Sequence, residues 1–161
     1  MDYIVRDMAE RDCKRVQDIA LESWRATYEG IIPREIQDDF LRVAYSDEMM
    51  ESRLAGSHVF VAEVAGEVVG FADFSPVDET GRTELRAIYF YPQHQGKGMG
   101  TALLRKGIEE LGGVKEIVVE VEKENIVGKQ FYEAKGFKPI REYVDDFAGH
   151  SLKTVQMVLT V

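Results

Sequence analysis

The chain has 161 residues, 45% of them hydrophobic and 30% charged, which suits one water-soluble domain, residues 1–161, and leaves little room for a second. Asp and Glu number 29 against 20 Lys and Arg, a formal net charge of −9. That argues against nucleic acid as a partner, because such binding neutralises phosphates with cationic side chains. No apolar run approaches the roughly 18 residues of a membrane span.

Tyr3 to Arg6 reads as a first strand, and the few residues before it lack the basic and apolar regions of a secretory signal. A single cysteine agrees with a reducing compartment, so a cytoplasmic protein is expected. Glu10 to about Tyr28 has a period near 3.6 and predicts a helix. Cys13 shares its apolar stripe with Val16, Ala20, Ser23 and Thr27. No His lies near Cys13 in sequence to make it a thiolate, so it reads as a core residue.

Gly30 and Pro33 close this helix, and Pro33 opens a second helical stretch that runs to Gly56 with a break near Ser46. His58 to Val64 and Val68 to Phe74 are β-branched and aromatic runs around Ala65-Gly66-Glu67, a hairpin signal. Ser75 to Gly81 is a polar turn, and Glu84 to Tyr91 a further strand ending at Pro92. Thr101 to Leu111 predicts a helix, Glu116 to Val121 a strand, and Glu124 to Ala134 a helix with Gly136 at its end. Phe137 to Tyr143 and Ser151 to Thr160 complete the chain as two strands around a polar loop that holds Asp145 and Asp146. The order β-αα-βββ-α-β-α-ββ is an α/β arrangement with helices covering a mixed sheet.

The most informative segment is Gln95-Gly96-Lys97-Gly98-Met99-Gly100-Thr101, set between a strand and a helix. Closely spaced glycines let the backbone bend tightly and approach a ligand, and the helix that follows offers unpaired N–H groups and a positive dipole end. Together they suit a pyrophosphate. A nucleoside-triphosphate loop fails because Lys97 is followed by Gly98 rather than Ser or Thr. A dinucleotide fingerprint survives only imperfectly, since Thr101 stands where its third glycine belongs. Gln-x-x-Gly-x-Gly is met in full by Gln95, Gly98 and Gly100.

With that loop, and with Asn125, Phe131, Tyr132, Gly136 and Phe137 downstream, the chain resembles the GNAT superfamily of N-acetyltransferases. The resemblance implies a mixed, mostly antiparallel sheet of about seven strands flanked by about four helices. It implies acetyl-CoA as co-substrate, held by Gln95 through Thr101, by backbone groups around Ile88, Tyr89 and Phe90, and by Asn125 and Gly128. Asn125 is equally natural as a helix N-cap.

Tyr132 would protonate the departing thiolate, or else be a core aromatic beside Phe131. Glu84 would act as base through a water, or else be an exposed charge paired with Arg82 or Arg86. Trp24 and Tyr28 fall where the family roofs the acceptor site; they would contact an ammonium group or pack in the core. His58, His94 and His150 show no metal-ligand spacing, so no metal is expected. The expected activity is direct acetyl transfer to a primary amine, with a small polyamine favoured by the acidic charge and by the aromatic pair Trp24 and Tyr28. A peptide N-terminus or an aminoglycoside-like compound as acceptor, a non-catalytic CoA sensor and a nucleotide-binding module are the alternatives. No membrane partner is expected, and the chain would act as a monomer or homodimer.

Overall fold

The computed structural model describes residues 2–161. The strands are β1 (Ile4–Asp7), β2 (His58–Val64), β3 (Glu67–Phe74), β4 (Arg82–Phe90), β5 (Glu116–Glu122), β6 (Lys138–Phe147) and β7 (His150–Thr160). The helices are α1 (Cys13–Tyr28), α2 (Arg34–Ala44), α3 (Asp47–Gly56), α4 (Met99–Leu111) and α5 (Ile126–Ala134). Short 3-10 turns lead into α1 and follow β4. All seven strands form one sheet in the order β1-β2-β3-β4-β5-β7-β6, in which only the β4–β5 pair is parallel. The expected order of elements holds, with five helices rather than four.

The extra helix arises at Ser46. Its hydroxyl accepts from the Met49 N–H at 3.2 Å, so the second helical stretch ends and α3 begins with its own cap. β3 is buried at every position from Val68 to Phe74 because helices cover both faces of the sheet. Phe71 faces Tyr45 and Tyr89, whereas Phe74 meets Phe60 and the α4 backbone at Gly107. Asp73, fully enclosed, is paired with Arg53 of α3, whose guanidinium also donates to the Ala44 carbonyl at 2.9 Å. That knot fastens α2 and α3 to the sheet.

Two expectations are corrected in the last hairpin and at β4. β6 continues to Phe147, pairing Asp145 with Leu152 and Asp146 with Ser151, so both acids lie in a strand rather than a loop. The turn is only Ala148 and Gly149, both with positive φ, the two-residue geometry that matches strand twist. β4 begins at Arg82, two residues early, because Arg82 to Glu84 pair with Glu116 to Val118 of β5.

Candidate functional site

The parallel pairing of β4 and β5 lasts for three residue pairs and stops at Glu84 and Val118. Beyond it β4 stays with β3 as far as Phe90, and β5 stays with β7 as far as Glu122. The two strands therefore part, and a cavity of about 790 Å³ opens between them. The loop before α4, the N-terminus of α5 and the last turns of α1 all border it. Backbone groups on the parted edges of β4 and β5 are left for a ligand to satisfy.

The glycine loop is built from two kinds of glycine. Gly96 and Gly98 have φ of 73° and 85°, a left-handed conformation that L side chains resist, and a β-carbon on either would meet nothing within 4 Å. Gly100 lies instead inside the first turn of α4, against Phe131 of α5 and Phe90 of β4. α4 begins at Met99, two residues before the sequence suggests, with Gly98 as its cap. The first N–H groups of a helix have no intrahelical acceptor, so those of the α4 first turn are free for an anion. Met99 buries its side chain in the core and offers only its backbone, whereas Gln95 and Lys97 are exposed beside it. Thr101 lines the same end.

Ile88, Tyr89 and Phe90 all line the cavity on the β4 side. Across from them stands Asn125, whose Oδ1 accepts from the Gly128 N–H at 2.9 Å, the N-cap geometry. Its Nδ2 is left for another partner. A β-carbon on Gly128 would fall 2.6 Å from that nitrogen, which explains the glycine there.

Tyr132 also lines the cavity, held edge-on between Phe131 and Phe137. Burial, with help from Tyr89 and Glu122, holds its phenol well above the ordinary tyrosine range, so it stays protonated at neutral pH. Burial raises Tyr89 as well, to about 12, against the opposing hydrogen bond from Trp24 Nε1 at 3.0 Å.

The remaining predicted residues divide. Tyr28 borders the cavity and donates its hydroxyl to Glu122 at 2.6 Å. The end of α1 that carries it is fixed by buried Gln37, whose amide donates to the Ile32 carbonyl at 2.9 Å and the Tyr28 carbonyl at 3.3 Å. Trp24 lies outside the lining. Its ring stacks on Phe40 at 4.4 Å and leans on Tyr28 at 4.6 Å, only 4% exposed, so no face is open to a cation. The physical reason is position along one helix face: Tyr28 sits a turn nearer the cavity, whereas Phe40 covers the indole a turn before it. Glu84 sits on the paired stretch of β4, outside the lining and half-exposed, 3.9 Å from Arg86 Nε.

The carboxylates that do border the cavity are Glu120 and Glu122 on β5 and Glu124 just before α5, none of which the sequence singled out. Glu120 accepts from Tyr143 Oη at 2.7 Å and Gln156 Nε2 at 2.8 Å. Burial pushes the Glu122 carboxyl above the usual range, while the Tyr28 hydrogen bond pulls the other way. Two acids spaced two apart on a strand gave the only available signal; which side they face depends on where β4 and β5 part.

Cys13 is half-buried on α1 against the core, away from the cavity. Burial, then the nearby acids, raise its thiol. Among the described residues no group of three or more His, Cys, Asp or Glu could hold a metal, and no helix is long and apolar enough to cross a membrane.

Comparison with known proteins gives consistent results. The model of the acetyltransferase (GNAT) family matches residues 14–137. The N-acetyltransferase YuaI of Bacillus subtilis, itself uncharacterized, is 37% identical over 94% of this chain and 89% of its own length. A spermidine N(1)-acetyltransferase of Thermoplasma acidophilum is 28% identical over 86% of this chain and 89% of its own. Among solved structures, the PaiA N-acetyltransferase of Thermoplasma acidophilum in complex with coenzyme A superposes with a TM-score of 0.85 at 25% identity, covering 100% of both chains.

Proposed function

The chain belongs to the acetyltransferase (GNAT) family, and on that premise we propose that it transfers the acetyl group of acetyl-CoA to a primary amine by direct attack in a ternary complex, with a small polyamine as acceptor. The observation that carries this reading is one continuous cavity lined together by the first turn of α4, by Tyr132 and by the acids Glu120, Glu122 and Glu124.

The first-turn N–H groups of α4 receive the pyrophosphate, and Gln95 and Lys97 frame it. The parted edge of β4 at Ile88 to Phe90 receives the amide-rich pantetheine arm as a neighbouring strand would, and Asn125 Nδ2 donates to it from the opposite wall. A β4 N–H directed at the thioester carbonyl stabilises the charge that develops on oxygen when nitrogen attacks. Tyr132, fully protonated, supplies the proton that the leaving sulfur needs. Cys13 takes no part: it stands off the cavity with a raised thiol pKa, which favours direct transfer over an acyl-enzyme. The choice of a polyamine is supported by the acids that line the cavity and by the named activity of the Thermoplasma relative.

Purified protein mixed with acetyl-CoA and a panel of amines tests the proposal. Spermidine, spermine, an aminoglycoside and a short peptide with a free N-terminus make up the panel. Thiol release in step with acetylated spermidine, with intersecting double-reciprocal lines, is the expected result. No transfer to any amine overturns the enzyme reading, and transfer confined to the peptide overturns the polyamine.

A further inference from the structure

We infer that Glu122 is the group that takes the proton from the acceptor ammonium, and that Tyr28 is a positioning residue that holds its carboxylate. This deepens the proposed function and rests on it. An alkylammonium has a pKa of about 10.4, so at neutral pH the acceptor arrives with a proton that must leave before nitrogen can attack. The site therefore needs a base that borders the same space as the sulfur's proton donor.

Glu122 meets that requirement by its place in the fold. It is the last residue of β5, past the point where β4 departs, and it lines the cavity with Tyr132 and Tyr89. Its charge bears on both of those hydroxyls and raises their pKa values, as a carboxylate close to them must. Tyr28 Oη donates to Oε2 at 2.6 Å, which fixes the carboxylate at the cavity wall. Glu84 does not share this placement, since its stretch of β4 is still paired with β5 and it lies outside the lining.

Burial, which raises the Glu122 pKa, makes it a better proton acceptor than a surface carboxylate. The groups that face it are Tyr28 from α1, Tyr89 from β4, Tyr132 from α5 and Asp145 from β6. Lys123 beside it is turned away into a pair with Glu142 at 2.8 Å.

The ammonium gives one proton to Glu122, and the free nitrogen pair forms a bond to the thioester carbon. The carbon–sulfur bond breaks, its electron pair leaves on sulfur, and sulfur takes the Tyr132 proton. The second nitrogen proton restores Tyr132, and Glu122 releases its proton to solvent.

Steady-state kinetics with acetyl-CoA and spermidine across pH 6–10, together with calorimetry of acetyl-CoA, test the assignment. Glu122→Gln should lower kcat by about 100-fold and lose the acidic limb of the profile, while acetyl-CoA binds as before. Tyr28→Phe keeps the carboxylate and removes the bond that lowers its pKa, so the acidic limb should move to higher pH with its plateau largely kept. A Glu122→Gln profile that matches the unaltered enzyme overturns the inference. So does an unmoved limb in Tyr28→Phe, or loss of the limb in Glu84→Gln with its survival in Glu122→Gln. Failure of the unaltered protein to acetylate any amine would instead remove the underlying reading.

Discussion

Gly100 in the first turn of α4 rests against the ring of Phe131 on α5, where a β-carbon would stand 3.0 Å from Cε1. The same β-carbon would lie 3.7 Å from Cε2 of Phe90, so three elements around the cavity meet at a position with no side chain. A larger residue must push α5 away from the glycine loop. Gly100→Val is expected to weaken acetyl-CoA binding at least about tenfold, roughly 1.4 kcal/mol, as read by calorimetry. An affinity within twofold of the unaltered protein would show that the loop does not depend on this contact.

Gly107, two turns further along α4, makes the closest helix-to-sheet approach among the molecule's glycines. A β-carbon there would fall 2.4 Å from Cζ of Phe74, itself completely buried. The ring has no space to yield, since Phe60 lies edge-on to it with centroids 6.0 Å apart. Gly107→Ala is expected to lower unfolding stability by roughly 1–3 kcal/mol through overpacking, despite the better helix propensity of alanine. Urea denaturation measures this directly, and an unchanged or higher midpoint would mean that α4 slides without cost.

The parts of the site that are legible in the sequence are those whose cause is local. Gly96 and Gly98 signal the loop because their conformation needs glycine whatever surrounds it. Asn125 signals a helix start because its side chain serves an amide three residues on. Glu122 and Trp24 are not legible, because their meaning depends on elements distant in sequence: the point where β4 leaves β5, and the ring of Phe40 that covers the indole. Asp145 and Asp146 mislead for a third reason. β6 is an edge strand, exposed along most of its length, so it can carry the polar residues that elsewhere mark a loop.

Tyr132 offers a test of the leaving-group step that is independent of the base. Its ring is held by Phe131 and Phe137 with centroids 5.5 Å and 5.3 Å away, so removing the hydroxyl leaves the packing intact. Tyr132→Phe is expected to lower kcat by about tenfold or more, with acetyl-CoA affinity and unfolding midpoint unchanged. Solvent or a neighbour would be the proton source if kcat stayed within twofold.

Asp12 gives the acid dependence of stability, with no connection to the cavity. Burial alone would raise its carboxyl, but Arg6 and the Ala9 N–H together outweigh that: Arg6 donates Nη1 to Oδ2 at 2.7 Å and Nη2 to Oδ1 at 3.1 Å, and Ala9 N–H donates to Oδ2 at 2.8 Å. The folded pKa is therefore below the unfolded value of about 3.9. A depressed carboxylate contributes stability that is fully present above the unfolded pKa and lost as pH falls through the folded one. Because the pair joins β1 to the turn that starts α1, its loss loosens the first strand from the first helix. Asp12→Asn is expected to cost roughly 1–3 kcal/mol at pH 7, and the gap between the two proteins should narrow steadily below about pH 4. Urea midpoints measured at pH 7, 4 and 3 check this; a gap that stayed constant would mean that the carboxylate charge contributes nothing beyond its hydrogen bonds.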